Sequence, residues 1–358
     1  MKIALVHDYL KEMGGAERVL LELAKMYPKA LIYTAFVDRN SLITQRLTGR
    51  QIIESRWGWF IKLGKLYSYL RFLLPWIWKS LDLTEYDLVI TSCSGYIARG
   101  FRVKKDAKVV AYCHTPPRWL YGYDTPTGAK NWWWGRVYLW VFGPWIRYFD
   151  FVSAQRVNLW IANSCEVASR IKKFYRREAV VIYPPCEVNV GLKVAGSPSY
   201  WLVVSRIVGG KGIEKAIELA QKTGEKLVIV GTGPLARKLK RQSFAVAEVE
   251  WRGYVADLEM GSIYACAKGF LALATDEDFG ISVVEALAYG VPVLAYNSGG
   301  YRETVKDGVN GKLVSDGNIE EVMRNWMKMK WDKERIARTA RRFGKERFVS
   351  QIRRVVDA

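Results

Sequence analysis

A buried strand, a glycine turn and an amphipathic helix occur in that order twice, and this repeat restricts the fold more than any other feature of the sequence. The first copy is KIALVH at 2–7, then Gly14-Gly15, then AERVLLELAKMY. The second is YWLVVSR at 200–206, then Gly209-Gly210-Lys211-Gly212, then IEKAIELAQKT. Short continuous apolar runs of this kind are strands buried on both faces, as in parallel sheets. Others follow each copy: DLVITS (87–92), AKVVAYCH (107–114), LWIANS (159–164) and VVIY (180–183), then KLVIVG (226–231), VEWRGYV (249–255), KGFLALA (268–274) and PVLAYN (292–297). Strands alternating with helices predict an α/β chain of two Rossmann-like domains, each an open parallel sheet.

A length of 358 residues suits two domains at about 100–200 residues each. The join is expected near 184–199, where Pro184-Pro185 ends a strand and VNVGLKVAGSPS has linker composition. That gives domains of 1–190 and 191–344. The last stretch, ERIARTARRFGKERFVSQIRRVV, is helical, basic and amphipathic and free to dock on either domain, with about 345–358 assigned to the first. Ligands of such sheets bind beyond the carboxyl ends of the strands, so a cleft between two facing domains is the expected site.

Several classes are excluded. The five cysteines, at 93, 113, 165, 186 and 266, form no C-x-x-C pair, which removes a zinc ribbon and a thioredoxin motif and suits reduced thiols in a cytoplasm. His7 and Asp8 interrupt the first apolar run too early for a signal peptide. Uncharged apolar runs of about 18 residues, the mark of a transmembrane helix, do not occur.

Net charge is +20, and residues 1–190 hold 28 basic against 15 acidic residues and eleven of the fifteen tryptophans. Two stretches concentrate both features without an acid: 56–79, with Trp57, Trp59, Lys62 and Lys65, and 128–149, with Trp132 and Trp133. Tryptophan and tyrosine favour the bilayer interface, and Lys and Arg meet anionic lipid phosphates. Two readings stand open: a surface for an anionic membrane, or core helices with their cations solvated. Three successive tryptophans, 132–134, point about 100° apart on a helix, so at least one is exposed or lines a groove. Nucleic acid is not an expected partner, because no RNP, helix-turn-helix or zinc-finger signature accompanies the cations.

The densest chemistry lies at Thr275 to Ala295, TDEDFGISVVEALAYGVPVLA. Glu277 precedes, and Glu285 lies inside, a helix that the Phe279-Gly280-Ile281 loop should open. Gly280 permits close backbone approach, and amides at a helix N-terminus bind anionic or hydroxyl-rich groups. One carboxylate then suits sugar hydroxyls and the other a ribose. Spacing alone leaves open two solvated acids favoured by the helix dipole. Arg206 and Lys211 flank a glycine turn after a buried strand, the position for an anion. Each taken singly reads more readily as a solvated surface cation.

These segments in order resemble the retaining glycosyltransferases of family four. EDFGISVVE at 277–285 resembles the family's E-x7-E signature, and GVPVLAYNSGGYRETV continues it. HDYLKEMGGAERV (7–19), YCHTPPRWLYGY (112–123), ANSCEVASRIKKFY (162–175), VIYPP (181–185), VVSRIVGGKGIEKAIE (203–218) and IVGTGP (229–234) match further motifs. The resemblance implies the GT-B fold, two Rossmann-like domains facing across a cleft, with the nucleotide-sugar held mainly by the second. It assigns Arg206 and Lys211 to the donor diphosphate, where they neutralise the leaving group; no metal or other cofactor is then expected. Glu285 matches the ribose-binding carboxylate. Glu277, with the amides of Phe279, Gly280 and Ile281, matches the group that grips the transferred sugar. Gly14 and Gly15 match the loop that closes on the donor, and His114 matches the histidine that contacts its sugar. Tyr254 falls near the base. Catalytic roles thus go to Glu277, His114, Arg206 and Lys211, and His7, Asp8 and Arg118 are candidates for the acceptor.

HTPPRWLY looks most like the mannosyltransferase branch of O-antigen and exopolysaccharide synthesis. The implied activity is a retaining hexosyl transfer, mannose from GDP-mannose to a lipid-linked or polysaccharide acceptor. It would occur at the cytoplasmic face of the cell membrane, with the protein peripheral. Two alternatives remain: a UDP-sugar transferase with a soluble acceptor, and a non-catalytic polyanion- or lipid-binding protein marked by steep salt dependence.

Overall fold

In the computed structural model, which describes residues 1–62, 69–123, 133–187, 198–243 and 248–356, the apolar runs pair into two all-parallel sheets. The first contains β1 (Ile3–His7), β2 (Leu31–Thr34), β3 (Ile52–Glu54), β4 (Leu88–Cys93), β5 (Lys108–Cys113), β6 (Leu159–Ala162) and β7 (Val180–Val181), in the order β3-β2-β1-β4-β5-β6-β7. The second contains β8 (Tyr200–Val204), β9 (Leu227–Val230), β10 (Val249–Gly253), β11 (Ala267–Ala272), β12 (Val293–Tyr296) and β13 (Gly311–Val314), in the order β10-β9-β8-β11-β12-β13. Strands β2, β3 and β13 were not apparent in the sequence. Each has three or four residues, too few for a hydrophobic period to stand out.

Both sheets are doubly wound. The chain runs outward from β1 to β3 and returns to lay β4 on the other side of β1; β8 and β11 repeat the plan. At these switch points, loops leaving adjacent strand ends diverge and leave room for a ligand. Successive residues of β1 serve opposite faces: Ala4 and Val6 join one core layer, and Leu5 joins the other with Leu20 and Leu23 of the helix Gly15–Met26. This alternation is why the strands are apolar throughout.

The chain forms two compact units. Among the described residues, one takes in those from Met1 to Tyr123, from 133 to Pro185 and from Phe348 onward; the other takes in those from Cys186 to Arg347. Most of the expected linker, and with it the join at 190, lies outside the described residues. Gly344 divides the terminal stretch into two helices, Lys333–Ala340 and Lys345–Val356. Phe348, Ile352 and Val356 of the second are buried beside Tyr112 and Ile161 in the first unit.

One buried ion pair organises the first unit. Arg99 bonds Asp150 of the long helix Trp133–Gln155, and both residues are buried. Tyr121 and Tyr175 donate to the same carboxylate at 2.7 and 3.2 Å, and the guanidinium stacks on Trp160 and Tyr175. Asp150 therefore ties the long helix, the 112–123 segment and the helix Cys165–Tyr175 to the sheet.

Candidate active site

In the second unit, the candidate donor residues leave strands that meet at the switch point. Arg206 and Lys211 follow β8, and Glu277 follows the adjacent β11. Gly212 has φ +69°, and a Cβ there would stand 2.1 Å from the Leu273 carbonyl oxygen. This contact seats the glycine turn on the end of β11 and brings Lys211 Nζ to 2.7 Å from Glu277 Oε2. Both side chains keep some solvent contact, with 24% and 17% exposed. The Glu277 main chain is held from behind, its carbonyl accepting from Gly300 N at 2.8 Å. Arg206 is exposed.

Gly280 caps the helix Ile281–Ala288 in the left-handed conformation, and a Cβ there would strike the Tyr301 ring at 2.9 Å. The amides of Ile281 and Ser282 open the first turn, where they lack intrahelical acceptors and the helix dipole favours negative charge. Phe279 is buried against Phe343 and anchors the loop. Glu285 lies a turn inside and accepts from Tyr264 Oη at 3.2 Å; Tyr264 in turn stacks on Tyr289. The hydroxyl holding Glu285 was missed in the sequence, because Tyr264 is remote in sequence and belongs to the separate helix Asp257–Ala265. Tyr254 follows β10 and is 66% exposed.

In the first unit, β1, β4 and β5 set His7, Ser92 and His114 in a row. Ser92 Oγ lies 3.0 Å from His7 Nδ1 and 2.8 Å from His114 Nε2. His7 Nε2 is 3.5 Å from Glu17 Oε1, and Glu17 Oε2 accepts from Gly14 N at 2.9 Å. Glu17 thus bonds the glycine loop at Gly14 and faces the row that ends at His114. Burial, with a smaller contribution from nearby His7, pushes the His114 pKa down to about 3, so its ring is neutral at ordinary pH.

Two acceptor candidates take other roles. Asp8 is buried; one carboxylate oxygen accepts from Ser94 N, Ser94 Oγ and Tyr96 N, and the other from Ala98 N. It anchors the loop after β4 and has little capacity left for an acceptor. His7, with its two ring nitrogens facing Ser92 and Glu17, serves the row. Arg118 is half-buried in a turn whose main chain it closes, accepting from Tyr121 N and Tyr123 N. Of the residues missed, Glu17 had a local signal, since an acid three residues after a helix cap bonds back to the cap amide. Ser92 had none, because its place between the histidines depends on the pairing of β1, β4 and β5.

The basic aromatic stretches divide. Leu74, Ile77 and Trp78 are core residues, and Trp78 Nε1 donates to the Tyr96 carbonyl at 2.7 Å. Trp57 is half-buried against the same core, while Trp59, Phe60, Tyr69 and Trp76 are exposed. On the long helix, Trp133, Val137, Trp140, Val141, Trp145 and Tyr148 are exposed, Trp140 by 81%. Ring contacts of Trp76 with Trp145 and of Tyr69 with Trp134 join the two segments into one face. Arg136, Arg147 and Lys79 lie exposed beside it. Lys65 and Trp132 are outside the described residues, as is the side chain of Lys62. Among the described residues no helix is long and apolar enough to cross a membrane.

Comparison with known proteins agrees with this architecture. The model of Glycosyltransferase Family 4 matches residues 13–190, and that of the glycosyl transferases group 1 matches residues 191–346. The chain is 26% identical to the alpha-1,3/1,6-mannosyltransferase ALG2 of Kluyveromyces lactis, over 86% of this chain and 71% of that protein. It is 30% identical to a GDP-mannose-dependent alpha-mannosyltransferase of Corynebacterium glutamicum, over 34% of this chain and 28% of that protein. Anabaena HepE, solved with UDP-glucose, shares the fold with a TM-score of 0.72 at 19% identity, each chain covered in full. With two matched regions spanning nearly its whole length and two Rossmann-like units, the chain belongs to the family-four glycosyltransferases of GT-B fold.

Proposed function

We propose that this glycosyltransferase moves mannose from GDP-mannose, with retention of configuration and without a metal, to a lipid-linked glycan at the cytoplasmic face of the membrane. The similarity to a mannosyltransferase over 86% of the chain carries the choice of sugar. Arg206 and Lys211 take the diphosphate, Glu285 the ribose and Glu277 the transferred hexose; Gly14, Gly15 and His114 serve the same donor. Lys211 carries three hydrogen-bond donors, so it can hold a phosphate oxygen while keeping Glu277 in place. Cations set where the leaving group gathers negative charge lower the barrier. Calorimetric titration in EDTA is expected to show binding of GDP-mannose in preference to UDP-glucose and UDP-N-acetylglucosamine. A preference for either UDP-sugar would remove mannose from the proposal, and binding abolished by EDTA would remove metal independence.

The exposed aromatic face of the long helix supports the membrane part of the proposal. Rings at headgroup depth with flanking arginines suit an anionic interface. In vesicle flotation the protein is expected to float with phosphatidylglycerol vesicles and to remain behind with phosphatidylcholine alone. Trp133→Ser combined with Trp140→Ser should weaken that binding about tenfold or more, the worth of withdrawing one large apolar side chain from water. Binding that ignores both lipid charge and these substitutions would return the face to a role apart from lipid.

A further inference from the structure

We propose that Glu17, His7 and Ser92 form a relay that fixes the tautomer of His114, so that its Nδ1 is presented as a hydrogen-bond acceptor. Only the use made of that nitrogen rests on the function proposed above.

The Gly14 N–H, donating to Glu17 Oε2, sets the rotation of the carboxylate and leaves Oε1 toward His7 Nε2. A carboxylate oxygen beside a ring nitrogen favours an N–H over a lone pair there, so the His7 proton is placed on Nε2, facing Oε1 at 3.5 Å, and Nδ1 keeps its lone pair. Ser92 Oγ, 3.0 Å from that lone pair, donates to it. The Ser92 lone pairs are then left for His114 Nε2, 2.8 Å away, which must donate. A neutral imidazole has one proton, and with it on Nε2 the other nitrogen is bare. Among the described residues, no side chain is hydrogen-bonded to His114 Nδ1. An acceptor there takes the hydrogen of a sugar hydroxyl and repels a carboxylate, which favours hexose over hexuronic acid donors. Glu17, His7 and Ser92 are positioning residues, acting through His114.

The chain has only two histidines, so nitrogen-15 histidine labelling gives two ring spectra, assigned with His7→Gln. Both rings are expected in the Nε2–H form. In Glu17→Gln the side-chain carbonyl must stay on the Gly14 N–H, which turns the NH₂ toward His7. Each donor along the row then reverses, and both histidines should move to the Nδ1–H form. With Ser92→Ala added, His7 should still reverse while His114 no longer follows.

A His114 proton on Nδ1 in the unaltered protein overturns the relay, and that spectrum decides the matter even if the variants fold poorly. A His114 that stays unmoved in Glu17→Gln while His7 reverses also overturns it. Glu17→Gln should lower kcat/KM for a hexose donor about five- to tenfold, the worth of one hydrogen bond, with nucleoside diphosphate affinity unchanged. Reversed tautomers with undiminished transfer would leave the relay standing and remove His114 from contact with the sugar.

Discussion

Replacing Asp150 with alanine is expected to lower the thermal midpoint of the first unit by about 10 °C or more. The change leaves Arg99 buried against Trp160 and Tyr175 without its counter-charge. Removing one partner of a buried pair costs about 3–5 kcal/mol, because the remaining ion is neither hydrated nor neutralised. Two tyrosine hydroxyls, of Tyr121 and Tyr175, also lose their acceptor. The double variant Arg99→Met with Asp150→Leu should recover most of the loss, since it removes both charges together. Calorimetry or circular dichroism of the single and double variants reads this directly. A midpoint within about 2 °C of the parent for Asp150→Ala would show that water reaches Arg99 and that the pair is not an anchor. The same variant should weaken vesicle binding while every exposed tryptophan is still present, because Asp150 is on the helix that displays Trp133, Trp140 and Trp145.

Glu277→Gln is expected to reduce turnover on the order of 10²- to 10³-fold, the range seen when one preorganised electrostatic contact to a transition state is removed. The side chain keeps its size and its place beside Lys211, so the loss reports charge. Nucleoside diphosphate affinity should hold or rise, since Lys211 loses its 2.7 Å ion-pair partner and is freer to meet phosphate. Lys211→Ala should do the reverse, weakening nucleoside diphosphate binding about ten- to a hundredfold, as for a lost charge-assisted hydrogen bond. Titration with the diphosphate alone, beside steady-state rates, separates the two residues. Turnover within about threefold of the parent in Glu277→Gln would take this carboxylate out of the chemistry.

The two assignments differ in how far the sequence could carry them. Glu277, Gly280 and Glu285 share one continuous segment, so the loop, the cap and the helix that arrange them were legible from local residue chemistry. Lys211 was legible as a candidate cation after a buried strand. Its pairing with Glu277 depends on β8 lying beside β11, strands separated by more than sixty residues of chain. Asp8 shows the opposite case. Its place beyond the first strand suggested an acceptor contact, yet four hydrogen bonds from the loop after β4 occupy its carboxylate. The tryptophan-rich stretches needed the structure for the same reason, since the pattern contains both core and surface positions. Trp78 and Trp76 are two residues apart, one buried and one exposed.

By itself the sequence determined the repeated strand, glycine turn and helix, the parallel character of both sheets and the loop, cap and helix that carry Glu277, Gly280 and Glu285. These follow from hydrophobic period, glycine placement and helix capping, which act over a few residues. Tertiary structure alone decided that His7, Ser92 and His114 stand in one row, that Asp150 neutralises Arg99, and which tryptophans face solvent. Those outcomes depend on strand order and on which surfaces are withdrawn from water, and such contacts join residues that the chain itself keeps far apart.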